Sequence, residues 1–395
     1  MKTRQFPIST IIVLGISLLL HGCASQPLTR ISTDQFPTFT DDLESERLLT
    51  AAVRHLHYLN TLPYDKSFTF GSDTYPTSWL QESMNSFIDI LKQDPHPEEL
   101  SRIISENYSV YQAAGREDFP KGEMLITGYY EPFLKGSLVK KEPFIYPLYS
   151  PPDSLVQSKE PESGTITFKR RDKNARLLPY WTRKEIIEND IAAGKELVYL
   201  DSPVDAFILH VQGSGKIQLQ DGTVRSIHYA ASNGLEYFSI GKLLVDQGKM
   251  TLEEASIPAI RSYLHAHPEE QDEILNHNIK FIFFNWAPDG DPAGSLGEPL
   301  VAGRSIAVDA RALPQTAMAF LISRKPVLDD SGAITHWIPM RRFVLPQDTG
   351  AAIQGPGRAD LYWGSGNYAK TAAGSMKETG ALYFLVKNNF ENPKK

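Results

Sequence analysis

The most informative stretch of this sequence reads Asp348-Thr-Gly-Ala-Ala-Ile-Gln-Gly-Pro-Gly-Arg-Ala-Asp-Leu-Tyr-Trp-Gly364. Its two aspartates, Asp348 and Asp360, lie twelve residues apart with glycines between them, and Tyr362 and Trp363 follow the second. Glycine allows the close backbone approach that a chain wrapping around a groove requires. A carboxyl group that stays protonated can donate to a glycosidic oxygen, and aromatic rings stack on sugar rings. The stretch therefore indicates a groove for carbohydrate chemistry, but a surface loop whose aspartates cap turns fits the composition as well.

Strand-like segments surround this stretch, and glycine-rich breaks separate them. They are Phe281–Phe284, Ser305–Val308, Met318–Ile322, Trp337–Leu345 and Ala381–Lys387. Asp329-Asp330-Ser331-Gly332 is predicted to turn a hairpin between Val327 and Ile334. Because many short strands occur without alternating long helices, the pattern predicts a barrel or a sandwich rather than a doubly wound sheet.

Two segments in the middle of the chain also have strand patterns. Residues Phe207–Gln212 alternate in a way that predicts a strand with His210 and Gln212 on one face. Farther along, Asp221-Gly222 follows the alternating Ile217 and Leu219 and is a strong signal for a hairpin turn. These segments extend the strand-rich character toward the middle of the sequence.

Helical patterns dominate from about Asp42 to Gln112. Three pairs have the spacing of a capping box and each predicts the start of a helix, the second running through Ile191: Ser78 with Gln81, Thr182 with Glu185, and Thr251 with Glu254. By contrast, residues 24–42 are polar and aperiodic. They predict a linker over residues 23–45 that precedes the globular part.

The first residues have the pattern of a secretory signal peptide, predicted over residues 1–22. Lys2 and Arg4 precede the apolar run Ile11–Leu20, which is too short to cross a membrane because a span needs about twenty residues. Cys23 follows this run and is the only cysteine of the chain. Its position resembles a bacterial lipobox, in which the cysteine is lipidated, and Ala24 after it favours sorting to the outer membrane. The alternative is an ordinary signal peptide with an incidental cysteine.

Composition excludes several classes of function. Residues 1–22 carry two positive charges, so their removal changes the net charge from −7 to −7 − 2 = −9. Such an acidic chain lacks the clustered cations that bind nucleic acid. With Cys23 used by the lipid, no thiol remains for a disulfide, a metal site or a nucleophile. The histidine pairs at residues 55 and 57 and at 265 and 267 have no acidic companions at a ligand spacing, so we expect neither metal nor cofactor.

Two short motifs suggest other functions that their context argues against. Asp348-Thr-Gly matches the triplet of aspartic proteases, and Asp330-Ser-Gly is a near copy. The two lie only eighteen residues apart, which is too close for the two facing lobes of such a protease. Gly213-Ser-Gly-Lys216 lacks the upstream glycine and the Ser or Thr after lysine that a phosphate-binding loop has.

Six segments follow one another in a specific order between residues 127 and 366. They are Thr127–Pro132, Leu178–Arg183, Phe207–Gly215, Gly294–Gly297, Gly303–Asp309 and Asp348–Gly366. Together they resemble the lytic transglycosylase A family of peptidoglycan lyases. The resemblance implies a mainly β fold with a helical N-terminal part, in which a double-psi β-barrel domain is interrupted by a second, smaller β-barrel domain. Residues 46–130 and 281–395 would form the catalytic barrel, residues 131–280 the inserted domain, and the groove would lie between them.

The resemblance also implies the chemistry. Asp360 corresponds to the family's catalytic aspartate and Asp348 to a supporting acidic position. The implied reaction cleaves the β-1,4 bond between N-acetylmuramic acid and N-acetylglucosamine without water. Asp360 would protonate the glycosidic oxygen and then accept the proton of the muramoyl O6 hydroxyl, which closes a 1,6-anhydro ring; this requires a raised pKa from partial burial. The alternatives are a hydrolase using the same cleft and a non-catalytic, expansin-like wall-binding protein.

Substrate contacts and partners complete the set of expectations. The predicted substrate-binding residues are Thr127, Tyr129, Tyr130, Gln212, Gly213, Ser214, Arg358 and Trp363. At Gln354 the family pattern is often basic, so the missing charge is expected to alter the affinity of one subsite. We expect a monomer at the periplasmic face of the outer membrane. Its expected partners are peptidoglycan glycan strands, with a wall-synthesis complex as a further candidate.

Overall fold

The computed structural model describes residues 26–159, 166–288, 290–388 and 390. The predicted signal peptide and Cys23 lie outside these residues. The described strands are β1 Leu28–Ile31, β2 Ser67–Phe70, β3 Asp73–Pro76, β4 Tyr108–Ala113, β5 Met124–Glu131, β6 Phe133–Ser137, β7 Tyr146–Tyr149, β8 Val156–Lys159, β9 Ile166–Arg171, β10 Leu177–Pro179, β11 Glu196–Leu200, β12 Ser214–Leu219, β13 Val224–Ser232, β14 Ile282–Ala287, β15 Ser305–Ala307, β16 Ala319–Leu328, β17 Ile334–Asp348, β18 Arg358–Ser365 and β19 Lys377–Lys387.

The described α-helices pack around these strands. They are α1 Ser45–Thr61, α2 Thr77–Lys92, α3 Pro97–Asn107, α4 Arg183–Glu188, α5 Pro203–Gln212, α6 Ile240–Asp246, α7 Ile257–Ala266, α8 Gln271–His277 and α9 Asn367–Ser375, and short 3-10 helices cover Thr33–Gln35 and Pro268–Glu270. Among the described residues, none of these helices has both the length and the apolar character needed to cross a membrane.

Six strands close into a barrel in the order β19, β16, β17, β15, β18 and β5, because β5 pairs back onto β19. The pairs β15–β17 and β18–β5 are parallel, and the other pairs of the ring are antiparallel. Strands β4 and β1 extend the sheet outward from β19. The barrel class predicted from the spacing of short strands is confirmed.

Both faces of the barrel wall are buried, which explains its apolar strands. On β19, Leu382 and Phe384 pack into the barrel interior, whereas Tyr383 between them and Leu385 after them pack against the helical layer of α1, α2 and α3. Successive side chains of a strand point to opposite faces, so each face receives its own apolar set. Each large apolar side chain buried in this way contributes about 1.5–3 kcal/mol to stability.

A second sheet is built from the chain between β5 and β15. Its order is β14-β13-β12-β6-β11-β7, and helices α5 to α8 lie in the same part of the chain. Strand β12 runs parallel to β6 and antiparallel to β13, which forms the hairpin predicted at Asp221-Gly222. The two-domain fold is as predicted. Strand β14 lies beyond residue 280, the approximate end of the predicted insert, and yet it belongs to the second sheet.

The predicted linker is wrong for residues 28–45. Strand β1 pairs antiparallel with β4 along its whole length. Phe39 is fully buried, with its ring 5.1 Å from that of Phe320 and 6.3 Å from that of Phe343. Beyond the short strand β1, isolated anchors such as Phe39 hold this segment to the barrel. Periodicity detects only longer regular elements and therefore misses it.

The predicted strand at Phe207–Gln212 is also wrong, because these residues end helix α5. The side chain of Ser202 accepts a hydrogen bond from the backbone nitrogen of Asp205, and Pro203 occupies the first turn. Proline is favoured there because its missing N–H would have no partner. Val204, Phe207 and Ile208 are buried at helical spacing. The Ser-Pro start signal was present in the sequence and outweighs the short alternation.

The three predicted capping boxes have three different outcomes. Thr182 and Glu185 form the box that opens α4, although this helix ends at Glu188 rather than Ile191. Thr251 and Glu254 form the same contacts within a turn rather than a helix. The box predicted at Ser78 is wrong, because α2 begins one residue earlier after Pro76 without a side-chain cap. By contrast, the hairpin between β16 and β17 turns where it was predicted.

Candidate active site

A groove of about 710 Å³ lies between one end of the barrel and the second sheet. The barrel contributes Tyr129, Asp348, Asp360 and the loop after β17, together with the loop around Ser295. The inserted part contributes the C-terminal end of α5, followed by His228, Tyr229, Tyr237, Asn278 and Lys280. The two aspartates of the first-quoted stretch therefore face one groove.

Asp360 lies in the middle of the barrel end. Its strand neighbours are Thr127 on β5 and Ala307 on β15. Its Oδ1 atom is buried and has no hydrogen-bond partner among the described residues. Burial raises the pKa of Asp360 to about 6, and the charge of Asp348 adds to this, whereas Arg358 and a hydrogen bond from Thr127 oppose it. A buried carboxyl without a full set of donors is favoured in its neutral form.

Asp348 has the opposite environment, because donors occupy both of its carboxyl oxygens. The hydroxyl of Tyr129 donates to Oδ2 at 2.9 Å. The backbone nitrogens of Ser295 and Thr349 donate to Oδ1 at 2.9 and 2.8 Å. Burial raises the pKa of Asp348, and these three donors oppose the rise. The two carboxyls of the groove are therefore chemically distinct: one is held by donors and the other is not.

The donor from Ser295 depends on a close backbone approach at Gly294. A Cβ atom on Gly294 would collide with the carbonyl oxygen of Gln347, next to Asp348. Only glycine allows the loop to lie this close to β17. The Gly294–Gly297 segment thus positions a donor for Asp348.

The wall of the groove that the inserted part of the chain contributes begins at the C-terminal end of α5. Gly213 adopts φ of +80° and ends the helix, a conformation that glycine accepts without strain. The side chain of Gln212 reaches the barrel, where its Oε1 accepts a hydrogen bond from the backbone nitrogen of Tyr130 at 2.9 Å. Ser214 begins β12 and lines the same wall. The helix end therefore connects the two halves of the groove.

A buried pair, Arg183 and His210, supports this wall. The His210 Nδ1 atom accepts from the backbone nitrogen of Ile282 at 3.2 Å and lies 3.3 Å from Arg183 Nη2. Burial lowers the pKa of His210 well below its usual range, and Arg183 adds to the effect. The imidazole is therefore neutral, and its proton is on Nε2 because Nδ1 accepts. Burial also lowers the pKa of Arg183 to about 9.

Among the described residues, no group of three or more His, Cys, Asp or Glu side chains is placed to hold a metal ion. The groove instead offers carboxyl, hydroxyl and amide groups together with Lys280. Burial lowers the pKa of Lys280.

Comparison with known proteins identifies relatives of this fold and site. Family models match residues 125–285 (MltA specific insert domain) and residues 304–386 (3D domain). The membrane-bound lytic murein transglycosylase A of Escherichia coli (strain K12) is 31% identical over 277 residues, which are 70% of this chain and 68% of the relative. The Vibrio cholerae protein of the same name is 28% identical over 94% of this chain and 93% of its own length. The chain belongs to the membrane-bound lytic murein transglycosylase A family.

Solved structures agree with this assignment. The membrane-bound lytic murein transglycosylase of Agrobacterium tumefaciens has a TM-score of 0.72 and 29% identity, covering 91% of this chain and 97% of that one. The structure of Escherichia coli MltA with bound chitohexaose has a TM-score of 0.69 and 25% identity, covering 92% and 96%. The double-psi barrel with its inserted domain is thus the fold of this family member.

The structure places four of the eight predicted substrate-binding residues in the wall of the groove and a fifth, Thr127, next to Asp360. Tyr129, Gln212, Gly213 and Ser214 line it. Thr127 does not line it but hydrogen-bonds to Asp360 and accepts from Arg358 Nη2 at 3.2 Å.

The other three predicted residues do not line the groove. Tyr130 and Trp363 are buried in the barrel core, at 4% and 8% exposure, and do not line the groove. Arg358 lies two residues before Asp360 on β18, and its Nη1 donates to the carbonyl of Ala352 at 2.6 Å. For Tyr130 and Trp363, alternation along the strand turns the side chain into the barrel core. A substrate contact by any of the three residues remains a prediction.

Several groove residues were not predicted as site residues. Arg183, His210 and Ser295 lie inside segments that carried the family resemblance, and Tyr237 and Lys280 lie outside them. Their roles depend on contacts between distant segments, so no local pattern signals them. Gln354 is exposed and does not line the groove; its effect on a subsite remains a prediction.

Proposed function

We propose that this enzyme, a peptidoglycan lytic transglycosylase, uses Asp360 as its single acid and base. The observation that carries the proposal is the buried, unpartnered Oδ1 of Asp360 in the groove. With its pKa raised to about 6, this carboxyl has both protonation states accessible near neutral pH, which general acid–base catalysis requires.

In the first step the protonated Asp360 donates its proton to the glycosidic oxygen between N-acetylmuramic acid C1 and N-acetylglucosamine O4. The C1–O4 bond breaks, and the Asp360 carboxylate then takes the proton of the muramoyl O6 hydroxyl. O6 bonds to C1 and closes the 1,6-anhydro ring, so no water is consumed. One carboxyl suffices because the nucleophile belongs to the substrate and is already held next to C1.

The environment of Asp348 favours this mechanism over hydrolysis. An inverting hydrolase needs a second carboxylate that is free to activate water. Both oxygens of Asp348 already accept hydrogen bonds, from Tyr129 and from two backbone nitrogens. Asp348 instead holds Tyr129 and the loop at Ser295 in place, and its charge raises the pKa of Asp360.

Product analysis tests the proposed reaction. Purified peptidoglycan digested by the full chain is expected to release muropeptides with 1,6-anhydro ends, each one water lighter by mass spectrometry than its hydrolytic counterpart. Products with reducing muramic ends would establish the hydrolase instead. Release of no soluble product, with binding to the insoluble wall retained, would establish an expansin-like binding protein.

The pH dependence of activity should report the charge of Arg358. Asp360 donates only when protonated, so kcat/KM is expected to fall as the pH rises through about 6. Arg358 lowers the pKa of Asp360, and therefore Arg358→Gln should move this alkaline limb to higher pH. Pre-steady-state or steady-state rates measured across the pH range would show the shift.

A matched control separates this effect from a change in overall charge. Arg324→Gln removes one positive charge from an exposed pair with Glu378 and should leave the limb in place. An unshifted limb in Arg358→Gln would contradict the assignment of Asp360 as the titrating acid.

Membrane attachment through a lipid on Cys23 is also proposed, with the enzyme on the periplasmic face of the outer membrane. Supporting it are the signal-peptide pattern and the relatives named membrane-bound. Because β1 begins at Leu28, four residues separate it from Cys23, and these five Cα-to-Cα steps span at most about 18 Å. Wild-type protein should sediment with outer membranes and Cys23→Ser should not; equal sedimentation would refute the anchor.

A further inference from the structure

A small second pocket opens beside the groove. Its volume is about 70 Å³, and its walls are largely apolar side chains of α5, α6 and α7, including Ile208, Ile240, Ile260 and Leu264. Its mouth is shared with the groove through Val211, Gln212 and Tyr237. A cavity needs about 10–15 Å³ of accessible volume to hold one water. The pocket therefore admits a group of a few heavy atoms and not a sugar ring.

The amide of Gln212 has a fixed orientation at this mouth. Its Oε1 accepts the hydrogen bond from the backbone nitrogen of Tyr130, so the oxygen points toward β5. The amide nitrogen, Nε2, makes no hydrogen bond within the described residues, and Gln212 lines both the pocket and the groove. An amide nitrogen carries two N–H donors, and those of Gln212 have no protein acceptor among the described residues. The mouth therefore presents a donor next to an apolar recess.

A donor beside a small apolar recess is complementary to an acetamido group, which has a carbonyl oxygen next to a methyl. Resting on the proposed function, we infer that the pocket binds the 2-acetamido group of one sugar unit in the groove. The methyl enters between Ile240 and Ile260, and Gln212 Nε2 donates to the carbonyl oxygen. Unsubstituted hydroxyl or amino groups at the same carbon would leave the recess empty and the donor unpaired.

Gln212→Glu tests the donor and preserves the rest of the site. A glutamate oxygen can still accept from Tyr130, but the donor becomes a negatively charged acceptor. We would measure binding by calorimetry in the full chain that also carries Asp360→Asn, so that no turnover occurs. Chitohexaose affinity is expected to fall about tenfold or more. Affinity for the fully de-N-acetylated hexamer, whose ammonium groups suit a carboxylate, is expected to rise, which reverses the selectivity.

Gly241→Ala tests the recess. The new methyl would lie 3.0 Å from Ile260 Cδ1 and 3.6 Å from Ser239 Oγ, inside the pocket, and alanine is favoured over glycine in a helix. Chitohexaose affinity should fall several-fold while the de-N-acetylated hexamer is unaffected. Lys242→Ala, on the exposed side of the same helix, is the matched control and should bind both hexamers as the parent does.

Unchanged selectivity in both Gln212→Glu and Gly241→Ala would overturn the inference, as would failure of the Asp360→Asn parent to bind chitohexaose. If both variants weakened only the binding of peptide-bearing strands, the occupant would be a stem-peptide methyl and the acetamido assignment would be wrong. These measurements need no catalysis. A failure of the proposed reaction would appear only in the product analysis, so the two failures are distinguishable.

Discussion

Asp360→Asn is expected to lower kcat by about 10²- to 10⁴-fold, because it removes both the proton donor and the proton acceptor of the reaction. The amide has nearly the shape of the carboxyl. Because Oδ1 of Asp360 has no hydrogen-bond partner among the described residues, the substitution breaks no hydrogen bond at this atom. Folding should therefore be retained. The rate of anhydromuropeptide release from purified peptidoglycan, followed by mass spectrometry, measures the effect.

The matched control is Asp330→Asn, which makes the same chemical change in the exposed hairpin between β16 and β17. It should leave kcat unchanged. An Asp360→Asn variant that keeps wild-type activity would refute the catalytic assignment. Loss of activity together with loss of the wild-type circular dichroism spectrum would show a folding defect instead, and Asp360→Glu would then provide the test through a changed pH profile.

Arg304→Met is expected to lower the free energy of unfolding by about 3–5 kcal/mol, because it leaves a buried charge without its partner. Arg304 is fully buried, and its Nη1 donates to Asp41 Oδ2 at 2.5 Å. Its Nη2 donates to the carbonyls of Leu43 and Glu44 at 2.7 and 3.0 Å. The side chain thus fastens the segment before α1 to the barrel. Urea unfolding followed by fluorescence measures the loss.

Arg324→Met is the matched control for stability. Arg324 pairs with Glu378 at 3.4 Å and is 53% exposed, so its removal should cost no more than about 1 kcal/mol. If Arg304→Met were equally mild, the segment around Asp41 would be held by Phe39 and β1 rather than by this ion pair. Asp41→Asn, which removes the charge from the other side, should destabilise by a comparable amount.

The barrel strands could be predicted because their patterns are local. The apolar runs in β16 and β17, the turn at Asp329–Gly332 and the glycines of the Asp348–Asp360 stretch each depend on neighbouring residues. The errors arose where a local pattern was short or where no pattern exists. Helix α5 contains a six-residue alternation that its Ser202-Pro203 start outweighs. Residues 28–45 are held by the four-residue strand β1 and by single contacts, which are too short to show a period.

The same distinction holds for the candidate site. The two aspartates and the order of six segments were visible in the sequence and indicated which residues to consider. The different environments of the two aspartates were not visible in the sequence, because two of the donors to Asp348 are distant from it in the chain. Tyr129, for example, reaches Asp348 across 219 residues of chain. Tyr130 directly follows the groove residue Tyr129, and Trp363 lies three residues after Asp360. Alternation along each strand turns both side chains into the core.

By itself, the sequence determined the strand-rich barrel class, the carboxyl pair and the signal-peptide pattern with Cys23 beside it. Each of these features depends only on residues that are close together in the chain. Only the tertiary structure decided which carboxyl stays unpartnered. Asp348 receives three donors, of which those of Tyr129 and Ser295 come from distant segments, whereas Asp360 keeps a buried oxygen with no donor among the described residues. The physical reason is that a carboxyl's pKa depends on burial and on the donors around it, and folding brings those together from distant parts of the chain.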